Sequence, residues 1–99
     1  MERGGAVYIM TNKTGSTLYV GVTSDLYKRV AEHKSNTYPR SFTARYRLHR
    51  LVYYETFHSI EEAIAREKQL KSGNRQRKMD FINAMNPNWS DLFEKIKEW

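Results

Sequence analysis

Two phenols, a guanidinium, an imidazole and a carboxylate fall where this sequence otherwise places apolar side chains. On a helix opened by Thr23 or Ser24, Leu26 and Val30 define a buried stripe. Arg29 and His33 lie on that same stripe, one turn apart, with Lys28 and Glu32 on the opposite side. A second helix repeats the conflict with the other sign, because Glu67 sits in the stripe of Ile60, Ala63 and Ile64. An inward guanidinium or carboxylate is costly unless it is paired, reaches solvent, holds a metal or serves a site. Two purely structural resolutions are open: Glu67 paired with Lys71 one turn on, or Arg29 bridged directly to Glu67. Tyr8 and Tyr19 come from two β-rich runs, 6–11 and 16–22, joined by the turn Asn12-Lys13-Thr14-Gly15. If Thr11 faces Ser16, Tyr8 stands opposite Tyr19. Both then share a face with the small residues Ala6, Thr17 and Gly21, and with Met10. That face leaves room for something to approach, whereas Val7, Ile9, Leu18, Val20 and Val22 form an aliphatic core on the other. Ionisable groups directed inward from three elements are candidates for catalysis.

The elements that must position them follow from local signals. The first helix runs to about Lys34, and residues 35–47 form a loop ending in a helical turn near Phe42–Tyr46. Arg50–Phe57 is a third strand. Ser59-Ile60-Glu61-Glu62 is a capping box opening a helix to about Lys71, closed by Gly73 in the manner of a C-terminal glycine. A further helix over Arg75–Met85 buries Met79, Phe81, Ile82 and Met85. A last one from Ser90 carries Leu92, Phe93, Ile96 and Trp99. The order is ββαβααα, an α+β fold with a three-stranded antiparallel sheet flanked by helices. Ninety-nine residues provide one modest core, so residues 1–99 are read as a single domain.

Composition narrows the partners. No run approaches the length of a membrane span, and the N-terminus lacks the apolar centre of a signal peptide, so no membrane role is expected. The absence of cysteine excludes disulfides and thiol chemistry and suits a reducing cytoplasm. His33, His49 and His58 are too dispersed for a histidine-based metal site. The net charge of +6 is concentrated: residues 28–50 carry seven bases against Glu32, and residues 66–78 carry six against Glu67. Two dense, Arg-rich blocks read as a phosphate-binding footprint, with Lys28, Arg45, Arg47, Lys71, Arg75, Arg77 and Lys78 its expected contacts. No obligate protein partner is evident. A protein-interaction reading would use Trp89, Phe93 and Trp99 as a C-terminal anchor.

Ala6-Val7-Tyr8 followed by Tyr19-Val20-Gly21 resembles the paired motif of the GIY-YIG nuclease family. The resemblance continues through Gly21-Val22-Thr23-Ser24-Asp25-Leu26, Arg29, His33 and Glu67. Leu51–Glu55, Glu62–Lys71 and Asn86-Pro87-Asn88-Trp89 resemble its small stand-alone bacterial subgroup, so the likeness covers nearly the whole chain. Ala6 replaces the motif glycine, and Val7 and Val20 replace isoleucines. Membership would imply divalent-metal-dependent hydrolysis of phosphodiester bonds in nucleic acid, DNA before RNA, with Mg²⁺ or Mn²⁺. It also implies that Tyr8, Tyr19, Arg29, His33 and Glu67 are the catalytic positions and Glu67 the metal ligand. The family's downstream asparagine could be Asn74, Asn83 or Asn86. Under that reading Arg29 offers phosphate a planar fork, and a lone carboxylate suits a cation that keeps most of its waters. Tyr8 becomes the base, its phenol pKa lowered by the nearby cations and metal-bound water, while Tyr19 or His33 orients or relays. The alternative is a catalytically silent nucleic-acid-binding domain.

Overall fold

The central strand is apolar on both faces, and that decides the architecture. A computed structural model describes residues 4–97. β1 (Gly5–Thr11) lies between β2 (Leu18–Thr23) and β3 (Arg50–Phe57), antiparallel to both, and every residue of β1 is buried. Alternation along the strands divides the core in two. Val7, Ile9, Val20 and Val52 pack on one side with Leu70 and Ile82. Ala6, Tyr8 and Met10 pack on the other with Leu26, Val30, Leu48, Leu51, Leu92 and Ile96. A bulge in the β1–β3 pairing passes from Ile9↔Tyr53 to Met10↔Leu51, which brings the neighbours Val52 and Tyr53 into the same cluster.

The hairpin register differs from the expected one by two residues. Thr11 pairs with Leu18, Met10 with Tyr19 and Tyr8 with Gly21. The cause is Asn12, whose Oδ1 accepts from the Ser16 and Thr17 amides at 2.9 and 3.3 Å and so takes those residues out of the ladder. Gly15, with φ of +72°, turns the chain inside that loop. A slip of two leaves each side chain on its original face, so Tyr8 and Tyr19 still share one.

Helices cover both faces. α1 (Leu26–Lys34) is capped by Asp25 itself, which accepts from the Lys28 amide, while Thr23 Oγ1 accepts from the Asp25 amide. The helix ends in a Schellman turn: Thr37 N donates to Glu32 O, Asn36 N donates to His33 O, and Asn36 is left-handed at φ 54°. α2 (Phe42–Arg45) is the anticipated helical turn, capped by Ser41. α3 (Ile60–Ser72) begins at the expected Ser59 cap. Gly73 ends it in extended conformation (φ −77°) rather than left-handed, and leads directly into Asn74, the cap of α4 (Arg75–Met85). On α4 only Ile82 is fully buried; Met79 and Phe81 are half-buried, and Met85 is 41% exposed rather than in the core. Asn86 enters the core in its place, donating to Val52 O and Ser90 O. α5 (Phe93–Ile96) starts later than expected because Asp91 turns back to accept from the Leu51 and Phe93 amides. Trp89 and Phe93 are packed rather than free as an anchor, Trp89 donating to Asn83 and Phe93 stacking on Tyr27 at 5.1 Å. Trp99 lies outside the described residues.

Candidate active site

Pairing Tyr8 with Gly21 governs the site. A Cβ at Gly21 would lie 2.4 Å from both Cζ and Oη of Tyr8, so the space expected for an incoming group is filled by the Tyr8 phenol. The buried stripe of α1 comprises Leu26, Val30 and His33, and His33 meets this phenol from above the sheet. Tyr8 Oη and His33 Nε2 are 2.8 Å apart, and His33 Nδ1 lies 2.9 Å from Thr43 Oγ1 on α2. Thr43 Oγ1 is 3.1 Å from Ser41 Oγ, which accepts from the Ala44 amide. Tyr8, His33 and Thr43 are all at most 4% exposed, so this chain of hydrogen bonds runs through the core.

Burial sets the protonation of both titrating members. It pushes the His33 pKa down to about 4, assisted by the charge of Arg29, so the imidazole is neutral at neutral pH. One ring nitrogen then donates and the other accepts, and the Tyr8–His33–Thr43 chain can run in either direction. Burial also pushes the Tyr8 phenol well above its ordinary value, with Tyr19 and Glu67 acting in the same sense; Arg29 opposes them and is outweighed. The protein's own charges therefore do not give the expected lowering of the Tyr8 pKa, because desolvation of the phenolate exceeds the help from Arg29.

Tyr19 is half-buried and central to the aromatic packing: its ring lies 6.3 Å from Tyr8, 5.8 Å from His33 and 6.1 Å from Phe42. Arg29 is half-buried. Its Nη1 donates to Glu32 at 3.2 Å, and its Cζ lies 5.4 Å over the Tyr38 ring. Glu32 thus stands beside Arg29 rather than across the helix from it. On α3 the inward stripe is Ala63, Glu67 and Leu70, whereas Ile64 is 37% exposed; the stripe is rotated from the expected one, yet still contains Glu67. The Glu67 side chain is 17% exposed and accepts from Lys71 Nζ at 3.3 Å, so the helix-surface pair forms and a direct Arg29–Glu67 bridge does not.

α1 and α3 pack on opposite faces of the sheet, and the edge strand β2 separates them. A shallow cavity wraps this edge, lined by Tyr19 and Phe42 from one face, Leu18 and Val20 from the other, and Lys71 and Lys78. Glu67 is the weakest of the charges that act on the Tyr8 phenol, in the sense that raises its pKa. Among the described residues no three His, Cys, Asp or Glu side chains converge as a metal cage. The donor set is a lone carboxylate, Glu67, with 17% of its side chain exposed, which fits a hard cation with a water-rich shell and not a protein-enclosed ion.

The expected basic contacts are dispersed. Lys71 and Lys78 line the Tyr19 cavity, and Lys28 lines a neighbouring one with Arg29. Arg45 is exposed on α2, and Arg47 lines a separate basic cavity. Arg77 faces Arg66 between α3 and α4, and Arg75 donates to Gly15 O at 2.8 Å. The three asparagines each hold a structural bond: Asn74 caps α4, Asn83 accepts from Trp89 Nε1, and Asn86 ties the end of α4 to β3. Thr43 and the fit of Tyr8 over Gly21 were not foreseen. The small residue facing an aromatic was visible in the sequence, but no local signal marks Thr43.

Residues 4–80 match the family description "GIY-YIG catalytic domain". Similar relatives are UPF0213 proteins of bacteria. One from Staphylococcus saprophyticus is 38% identical over 78% of this chain and 92% of its own. Another from Desulfotalea psychrophila is 33% identical over 88% and 78%. A third from Streptococcus pneumoniae is 32% identical over 84% and 82%. No solved structure matches the chain significantly.

Proposed function

This chain belongs to the GIY-YIG family, and from that premise we propose that it is a divalent-metal-dependent endonuclease hydrolysing phosphodiester bonds in DNA. The observation that carries the reading is one arrangement at the β2 edge. A buried Tyr8–His33 hydrogen bond lies within the influence of the Arg29 guanidinium on one side and the Glu67 carboxylate on the other. Glu67 would hold Mg²⁺ or Mn²⁺, which when bound stabilises charge on the scissile phosphate and its leaving oxygen.

The protein's own residues do the rest. Arg29 donates one N–H to Glu32 and also acts on the Tyr8 phenol, and it would turn its fork to two phosphate oxygens, supplying positive charge where the pentavalent transition state becomes more negative. Tyr8 retains its proton at neutral pH and is 1% exposed, so it would orient the attacking water once the Tyr19 wall admits that water to Oη, and it does not remove a proton beforehand. As the water oxygen bonds to phosphorus, its proton passes to Tyr8 Oη while the phenolic proton moves to His33 Nε2, and the leaving oxygen departs with the bonding pair. The neutral imidazole makes that acceptor available, and Thr43 fixes the ring that carries it. Tyr19 walls the site and shields the Tyr8–His33 bond. Lys28, Lys71 and Lys78 border the cavities beside these groups and would contact flanking phosphates.

We read residues 1–99 as one functional unit, acting in the cytoplasm without an obligate protein partner. Among the described residues no helix is long and apolar enough to cross a membrane. A second reading, a silent nucleic-acid-binding domain, is favoured by one observation: both Arg29 and Glu67 are ion-paired within their own helices. Cleavage of end-labelled linear, flapped, branched and single-stranded substrates, with and without Mg²⁺ or Mn²⁺, separates the two. Metal-dependent products that disappear in Arg29→Lys and Glu67→Gln support the nuclease; binding without turnover on every substrate supports the silent domain.

A further inference from the structure

The segment Tyr38-Pro39-Arg40-Ser41-Phe42-Thr43-Ala44-Arg45-Tyr46-Arg47 interleaves aromatic and basic side chains. Tyr38, Phe42 and Tyr46 are 52%, 47% and 47% exposed, and they are the only largely exposed aromatics among the described residues. An ordinary surface hides such rings singly in partial contacts. Here three recur four residues apart on one short segment beside the candidate active site, and two of them, Phe42 and Tyr46, form a ladder with Tyr19. Tyr19 stacks on Phe42 at 6.1 Å with 29° between the rings, and Phe42 contacts Tyr46 at 4.5 Å. The ladder leads from the cavity at β2 into a second cavity of about 540 Å³, whose rim carries Tyr46, Arg47, Arg50, Lys13 and Lys34. Of these cations, Lys34 is occupied by an ion pair with Asp91.

Arg47 provides an independent observation. Leu48 N donates to Thr43 O at 2.8 Å and Arg47 N to Ala44 O at 3.2 Å, the bond pattern of a Schellman turn closing α2. Arg47 occupies its left-handed position at φ 57°, where glycine is the unstrained residue. A guanidinium kept on strained backbone at the mouth of a basic cavity indicates that the side chain has a use there.

We infer that this ladder and cavity bind an unpaired polynucleotide strand: successive bases stack on Phe42 and Tyr46, and the phosphate between or beyond them enters the cavity of Arg47, Arg50 and Lys13. In a duplex each base face is covered by its neighbours, so exposed rings can be stacked only by bases that are unpaired or splayed out. The occupant is polyanionic because Lys13, Arg47 and Arg50, which make no ion pair among the described residues, line the cavity beside the rings. The inference rests on the nuclease reading and narrows it: the substrate carries a single-stranded segment beside the bond to be cut.

The test uses the full chain without metal, so that binding is read apart from cleavage. Fluorescence anisotropy compares a mixed-sequence DNA strand, the RNA of the same sequence, an abasic strand with the same phosphates, and the DNA duplex. Wild-type protein should bind the base-containing strands more tightly than the abasic strand or the duplex, and the DNA and RNA arms show which sugar is preferred. Tyr46→Leu keeps apolar bulk but removes the stacking face. It should weaken binding of the base-containing strand roughly 5- to 150-fold and leave the abasic strand unchanged. Arg47→Gly should weaken both strands while holding or raising the melting temperature. Equal affinity for abasic and base-containing strands would overturn the platform, and that comparison needs no variant. So would self-association in sedimentation that Tyr46→Leu abolishes, since the rings would then be an interface between copies. Salt-sensitive duplex binding indifferent to Tyr46 sinks the platform but leaves the nuclease standing, whereas no binding to any nucleic acid removes both.

Discussion

Glu67→Gln separates a metal ligand from a structural carboxylate, and the structure sets the expected numbers. The only ion pair Glu67 makes among the described residues is with Lys71, one turn on, whose side chain is 52% exposed. A pair of that kind is worth about 0.3–0.5 kcal/mol, because Lys71 can return to water when its partner is gone. Against this small loss stands relief of a partly desolvated carboxylate, which glutamine replaces at similar volume. The net change should be under about 1 kcal/mol in either direction, or less than about 8 °C in melting temperature for a chain of this size. Cleavage should respond on another scale. If the cation supplies several kcal/mol of transition-state stabilisation, losing it lowers turnover by roughly 10³-fold. Thermal melts and single-turnover cleavage under saturating Mn²⁺ on the same preparations give both values. A variant that cuts at the parental rate would refute the assignment. A loss of about 3–5 kcal/mol, as when a buried charge is stranded, would instead make Glu67 a structural partner.

Arg29→Lys keeps the charge but loses the fork, so single-turnover rate should fall far more than substrate affinity; parallel losses measured by anisotropy and cleavage would make Arg29 an ordinary binding cation. Gly21→Ala drives a methyl group into Tyr8 at 2.4 Å. Overpacking and a displaced Tyr8–His33 bond together should cost roughly 2–6 kcal/mol in urea unfolding, and stability equal to the parent would show that the phenol is not held there. His33 is buried and neutral with its pKa pushed down to about 4, against about 6.5 when unfolded. Its contribution is therefore complete above pH 6.5 and lost as pH falls towards 4, about 3 kcal/mol over that window. Urea midpoints from pH 7 to 4 should decline in wild type and decline less in His33→Gln; identical slopes would place the acid sensitivity elsewhere.

The sequence disclosed most of the frame because its elements are marked locally. β3 and α4 occupy the expected residues, bounded by Arg50, Phe57, Asn74 and Asn86, and Ser59 caps α3 as its capping box requires. Errors arose where a side chain overruled a pattern. Asn12 bonds to two amides and lengthens the hairpin loop, and Asp25 takes the cap that Thr23 or Ser24 could have taken. The inward positions of His33 and Glu67 were legible as periodicity conflicts, since a charged or polar residue on an apolar stripe is a local statement. Their protonation was not, because it depends on burial between elements distant in sequence. Thr43 was illegible for the same reason: α2 is one turn long and has no period to read, and the threonine's importance comes entirely from its bond to His33.

The wrong expectation about Tyr8 and the alternatives left open for Arg29 and Glu67 resolve into one arrangement. A direct Arg29–Glu67 bridge would have neutralised the site and required an incoming phosphate to break a well-desolvated pair. The sheet prevents this, because α1 and α3 lie on opposite faces and β2 stands between them. Each charge is held instead by a neighbour on its own helix, Glu32 for Arg29 and Lys71 for Glu67, and pairs at such spacings contribute only a few tenths of a kcal/mol. On the proposed reading, a phosphate at Arg29 or a cation at Glu67 would therefore displace only a weak partner, while the sheet edge keeps the opposing charges apart. Tyr8 sits where both fields meet, and Gly21 is what lets its phenol reach that point.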